Sequence, residues 1–271
     1  MPRRLTLALL ACLACLASGP MAMPSAKAQG FAAVVSPPRF ELAAKPGEAV
    51  RQVVEITNAS AQPARYHLRT SDWQLSPDGG VTFPDALAAD SCRPWVAIER
   101  HEIQVPGGGS YRYRFEVQPP ADAHVGECRF ALMIEGDEQT VQAGTGLTLP
   151  ISGRIGVIVY VSVGGAAPAL RVAASKVADV NGRPLPVLEV SNSGNAHGRL
   201  AGFLTGTDAR GRRLDFSPST LPVLPGETRD IALTASEGNN EVAEVAFPVT
   251  VKGTLELGAG QRADFEHTFA R

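Results

Sequence analysis

A short pattern occurs twice in this chain, and it limits the folds available more than any other feature. Val53-Val54-Glu55-Ile56-Thr57-Asn58-Ala59-Ser60 reads as a β-strand running into a polar turn, and Val187-Leu188-Glu189-Val190-Ser191-Asn192-Ser193-Gly194 repeats it in residue type. Each copy is followed by a Pro-Gly turn and an alternating strand, Pro106-Gly107 before Tyr111 to Val117 and Pro225-Gly226 before Arg229 to Leu233. The copies lie about 130 residues apart, far beyond the period of a solenoid, so the repeat points to two related β-domains in tandem.

The length agrees, since 271 residues accommodate two domains of about 100–150 residues, each with its own core. Residues 1–28 stand apart from the fold. Arg3-Arg4 are followed by the apolar run Leu5 to Ala17 and the small-x-small triplet Ala26-Lys27-Ala28, the pattern of a cleaved secretory signal. A lipid anchor at Cys12 or Cys15 is the competing reading, but Leu10-Ala11-Cys12 comes before the apolar run is complete. Without the leader the formal net charge of −2 becomes three units more negative. An acidic mature chain argues against nucleic acid as a partner. No later segment reaches the ~18 apolar residues of a membrane span, so membrane insertion is not expected. The expected compartment is outside the cytoplasm.

After the leader, helical periodicity is nearly absent. Short runs rich in Val, Ile, Tyr and Phe are bounded by Gly, Pro, Asn and Asp at intervals of roughly 8–14 residues, which predicts an all-β sandwich architecture. Tyr111, Tyr113, Phe115 and Val117 alternate with charged residues and should share one buried face. Pro77-Asp78-Gly79-Gly80, Asn181-Gly182 and Asp208-Ala209-Arg210-Gly211 are turn signals, and Gly107-Gly108-Gly109 reads as a hairpin connection. Gly164-Gly165-Ala166-Ala167-Pro168 reads as the linker, giving domains over 29–164 and 168–271.

Cys92 and Cys128 remain after leader removal, and an even pair in an exported chain predicts a disulfide. Catalytic readings fail: Ser110 lacks the Gly-x-Ser-x-Gly elbow, the five histidines fall in unrelated segments, and Asp137-Glu138 sit in a polar stretch. No metal or cofactor site is expected, and the chain reads as a non-enzyme. Before Arg154, Leu147, Leu149 and Ile151 alternate with Thr148, Pro150 and Ser152. After it, Ile155 to Val163 is almost wholly apolar, as for a strand covered on both faces. An edge strand of this kind is a liability unless something pairs with it.

In this light the order of motifs along the mature chain resembles the PapD-like periplasmic chaperones of pilus (fimbrial) assembly. The resemblance rests on Ser36-Pro37-x-Arg39, Ile56-Thr57-Asn58, Arg93-Pro94-Trp95-Val96, Pro119 to Arg129, Arg154, and Ser191-Asn192-Ser193-Gly194-Asn195. It implies two immunoglobulin-like β-sandwich domains set as a boomerang, with no cofactor. It further implies that Arg39 and Arg154 meet in the cleft between domains to hold the C-terminal carboxylate of a pilus subunit. Leu147, Leu149 and Ile151 would pair with that subunit until it passes to an outer-membrane usher. Three departures mark a divergent branch: Arg154 where the best-known members have lysine, Val159-Tyr160-Val161-Ser162 in place of aromatic-Tyr-Arg-Pro, and Pro150, which removes a strand donor. A structural or adhesive immunoglobulin-like surface protein without a client is the alternative reading.

Overall fold

The computed structural model describes residues 31–88, 91–142, 148–238 and 241–271, so the expected leader lies outside the described residues. The first sandwich opens with β1 (Ala33–Ser36), β2 (Arg39–Ala44), β3 (Val50–Asn58) and β4 (Ala64–Ser71). A small hairpin of β5 (Gln74–Leu75) and β6 (Val81–Thr82) precedes a 3-10 turn at Arg93–Trp95. Then come β7 (Val96–Ile98), β8 (Glu102–Val105), β9 (Ser110–Val117), β10 (Gly126–Gly136), β11 (Gln139–Gln142), β12 (Thr148–Ile151) and β13 (Arg154–Val163).

Two sheets face each other, one in the order β1-β3-β9-β7 and the other β2-β13-β10-β4-β8. The first strand is shared between them. It pairs with β3 as far as Ser36, turns at Pro37-Pro38, and continues as β2 parallel to β13. Proline suits this crossing because it fixes φ and has no N–H to leave unpaired. As the alternation predicts, Tyr113, Phe115 and Val117 are buried, with Tyr111 packed against the same core. Cys92 and Cys128 are joined, their Cα atoms 5.7 Å apart. Odd-numbered residues of β13 from Ile155 enter this core. Ile158 and Tyr160 instead face a second apolar cluster with Trp73, Met133 and Phe83, so β13 is covered on both sides. Gly107-Gly108-Gly109 does not close a hairpin. β8 pairs with β4 and β9 with β3, so this turn crosses from one sheet to the other.

The second sandwich comprises β14 (Leu170–Val180), β15 (Arg183–Asn192), β16 (Ala201–Thr207), β17 (Arg213–Pro218), β18 (Thr228–Glu237), β19 (Glu241–Val242), β20 (Val249–Glu256) and β21 (Arg262–Phe269). Its core is separate, built on Leu188, Val190, Leu204, Phe216, Ile231 and Val251. β18 pairs with β15 along its first half and with β17 along its second, linking the two layers. The β14–β15 turn carries Asn181 at φ 54° and Gly182 at φ 77°, the left-handed pair that a two-residue hairpin of matching twist demands.

The sequence repeat is one structural device built twice. Asn58 is fully buried, and its amide donates to Gln62 O (2.7 Å), Val105 O (3.2 Å) and Pro106 O (3.3 Å). Asn192 is equally enclosed and donates to Ala196 O (2.8 Å) and Val223 O (2.9 Å). Each asparagine ends a strand and plugs the Pro-Gly turn beside it, supplying donors that buried turn carbonyls would otherwise lack.

Candidate functional site

Two regions are candidates: a free strand edge on the first sandwich, to which the sequence pointed, and a charged junction between the sandwiches, built mostly from side chains that the sequence reading did not single out. The edge comes first. β10 and β13 pair from Gly126↔Val163 to Glu135↔Arg154, and the same hairpin continues outward as β11 and β12. On the other side of β13, β2 joins only from Ile158 onward, because the chain belongs to the other sheet until Ser36. Thr148 to Val157 therefore has no strand on its second edge among the described residues. Leu149 is 44% and Ile151 50% exposed on that segment, while Leu147 lies outside the described residues.

Where β10–β13 passes into β11–β12, two glycines face each other, with Gly136 N–H donating to Gly153 O at 3.0 Å. A Cβ on Gly153 would stand 2.1 Å from Phe31 Cβ, and one on Gly136 2.7 Å from the Phe31 ring. Phe31 fills this cradle and meets Tyr66 edge-on at 5.9 Å, closing the core beneath the hairpin's base.

The structure does not bring Arg39 and Arg154 together in the cleft. Arg39 stands opposite Ile158, whereas Arg154 begins β13 four residues earlier, a separation of about 13 Å at strand rise. Both lie on the outer, solvent side of the sheet. Arg39 alone borders the second sandwich, and Arg154 marks the base of the outer hairpin. The cause is register: a parallel strand entering at Ile158 fixes where its first residue sits.

Other side chains fill the junction. Glu41 Oε1 lies 3.0 Å from Arg39 Nε and accepts a hydrogen bond from Arg199 Nη1 at 2.7 Å. Arg199 also donates to Tyr160 Oη (3.3 Å), and its guanidinium carbon lies 5.3 Å from the Tyr160 ring centre. His197 stacks on Tyr160 at 3.7 Å and bonds Glu127 through Nδ1. Glu127 has a fully buried side chain, its Oε1 3.9 Å from Arg129. Burial pushes the Tyr160 phenol above its ordinary pKa, against the pull of Arg199.

Backbone contacts extend this union. Glu127 N–H donates to Asn195 O at 2.8 Å. The β5–β6 turn reaches across, where buried Arg229 donates to Ser76 O (2.8 Å) and Pro77 O (3.1 Å). Charges enclosed this way are costly unless paired, so the pairing largely offsets their desolvation and adds little net stability. Among the described residues no cluster of His, Cys, Asp and Glu could hold a metal, and no helix is long and apolar enough to cross a membrane.

No family model matches the chain, and no curated protein matches it. Solved structures do. The YadV chaperone is similar at a TM-score of 0.46 and 10% identity, over 87% of this chain and 98% of that one. The Pseudomonas aeruginosa CupB2 chaperone gives a TM-score of 0.45 at 12% identity, over 88% of this chain and 100% of that one. A structure of the Salmonella enterica SafA pilin in complex with the SafB chaperone gives 0.45 at 13%, over 88% and 96%. Each is a likeness of fold.

Proposed function

We propose that the chain is a divergent PapD-like periplasmic chaperone that caps a pilus or fimbrial subunit and passes it to an outer-membrane usher. The free edge from Thr148 to Val157 carries this reading. It presents unpaired backbone groups together with exposed Leu149 and Ile151, at the border of a sheet whose inner face is packed into the core. Such an edge invites pairing, and a client lacking a strand satisfies it by β-augmentation. The apolar side chains fill the client's open core, while main-chain bonds supply register-specific affinity.

Arg39 anchors the client's C-terminal carboxylate in this reading. It is half exposed, and its terminal nitrogens have no hydrogen-bond partner among the described residues. A guanidinium presents paired donors that match a carboxylate. Arg154 supplies a second cation further along the same track.

Co-purification from the native periplasm tests the proposal. The protein should bring down a pilus subunit, and Leu149→Asp with Ile151→Asp should abolish capture while circular dichroism stays unchanged. Arg39→Ala should weaken capture roughly tenfold to a hundredfold, the range for a hydrogen bond to a charged group. Full capture by both variants would overturn the mechanism and favour a surface protein without a client.

A further inference from the structure

His197 is buried at the junction with both ring nitrogens engaged. Its side chain is 7% exposed and lies directly after the turn that Asn192 anchors. Nδ1 meets Glu127 Oε2, which also accepts the His197 backbone N–H at 3.0 Å. Nε2 lies 2.7 Å from Arg199 Nη1 and 3.6 Å from Glu41 Oε1. Arginine can only donate, so Nε2 must accept, and the ring proton belongs to Nδ1, facing Glu127. The partners thus select one neutral tautomer.

We propose that His197 is a proton-operated latch between the two sandwiches. A proton on Nε2 turns that acceptor into a donor facing another donor, Arg199, so this contact breaks. Glu41 is the nearest acceptor to the new N–H. As the imidazolium takes up Glu41, that carboxylate leaves Arg199 and Arg39. One tie between the domains is exchanged for another, and Arg39 is left without its internal partner.

Every charged neighbour takes part. Glu127 and Arg129 face the site from β10, Glu41 and Arg39 from β2, Tyr160 from β13, and Arg199 from the same segment as His197. The two carboxylates stabilise an added proton, whereas Arg199 and the enclosure oppose it. Movement of Arg199 is therefore part of the change. The proposal concerns the conformation of this chain alone and stands apart from the client reading.

Trp73 supplies a reporter. Its ring meets Tyr160 edge-on at 5.5 Å, on the ring that His197 stacks upon, and Trp95 is the other tryptophan. In Trp95→Phe, Trp73 emission should pass through one reversible step as the folded protein is acidified from about pH 8 to 5. The His197 imidazole signals in nitrogen–proton spectra of the unmodified protein should shift over the same interval, as should the radius of gyration. His197→Gln keeps an acceptor for Arg199 but takes no proton, and should lose the step with its circular dichroism unchanged. Persistence of the step in His197→Gln would overturn the latch. So would imidazole signals that stay fixed from pH 8 to 5 in folded protein, a measurement that does not depend on the tryptophan variant.

Discussion

Asn58 and Asn192 occupy the same place in two sandwiches, yet their carbonyl oxygens serve different ends. Asn58 Oδ1 accepts from the backbone N–H and the hydroxyl of Ser60, both within its own turn. Asn192 Oδ1 accepts from Gly194 N–H in its turn and from Ala169 N–H in the linker. Asn195 adds a second hold, accepting from Ala167 N–H at 2.9 Å. One copy of the device closes a loop. The other closes a loop and fastens the connection between domains, so the same local device serves an added task through one acceptor lone pair aimed at Ala169.

The two sandwiches differ most in their covalent and titratable content, and the largest expected effect exploits this. Only the first contains a disulfide, closing a sequence separation of 36 residues. In the chain-entropy account, removing it with Cys92→Ala and Cys128→Ala costs about 4 kcal/mol. Calorimetry should show one transition falling and the other unmoved. A joint shift would mean that the junction makes the sandwiches unfold together.

Next in size are the asparagines themselves. Asn58→Ala and Asn192→Ala should each cost roughly 3–4 kcal/mol, at about 1 kcal/mol for each buried group left unpaired. Small-angle scattering should separate them, with a broadened distribution of domain orientations for Asn192→Ala alone. Equal broadening in both variants would erase the contrast drawn here.

The smallest effect is alkaline. All four tyrosines lie in the first sandwich. Burial pushes the Tyr113 hydroxyl up to about 12 from a reference of 10.0, while it donates to Arg100 O at 2.6 Å. The neutral phenol stabilises the fold fully below pH 10, and this contribution is lost as pH rises through about 12. A shift of that size corresponds to roughly 2–3 kcal/mol. Unfolding followed between pH 10 and 12 should show the first sandwich weakened more than the second, where only exposed pairs such as Lys176–Asp230 are lost.

Much of the fold was legible because strand alternation and turn chemistry are local. The Asn repeat, the face shared by Tyr113, Phe115 and Val117, and the double covering of β13 can all be read from neighbouring residues. The position of Arg39 relative to Arg154 could not be read this way. It depends on the residue of β13 opposite which β2 begins, and parallel register between segments more than a hundred positions apart leaves no trace in either one. The junction was missed for a similar reason. Glu41, Glu127, His197 and Arg199 come from three distant segments and look like ordinary surface charges. The one available signal was Glu127, an acid beside Cys128 at the head of the apolar strand Phe130–Ile134.

The hold of Asn192 and Asn195 on the linker also decides where the second sandwich can be excised. Leu170 begins its first strand, but Ala167 and Ala169 supply hydrogen-bond donors to the two asparagines and accept from Asn195 and Ser193. A fragment starting at Leu170 would strip the buried Asn192 Oδ1 of one of its two donors, Ala169 N–H, and keep only Gly194 N–H. The folding unit therefore starts upstream of Ala167, inside the stretch that composition alone marks as a spacer.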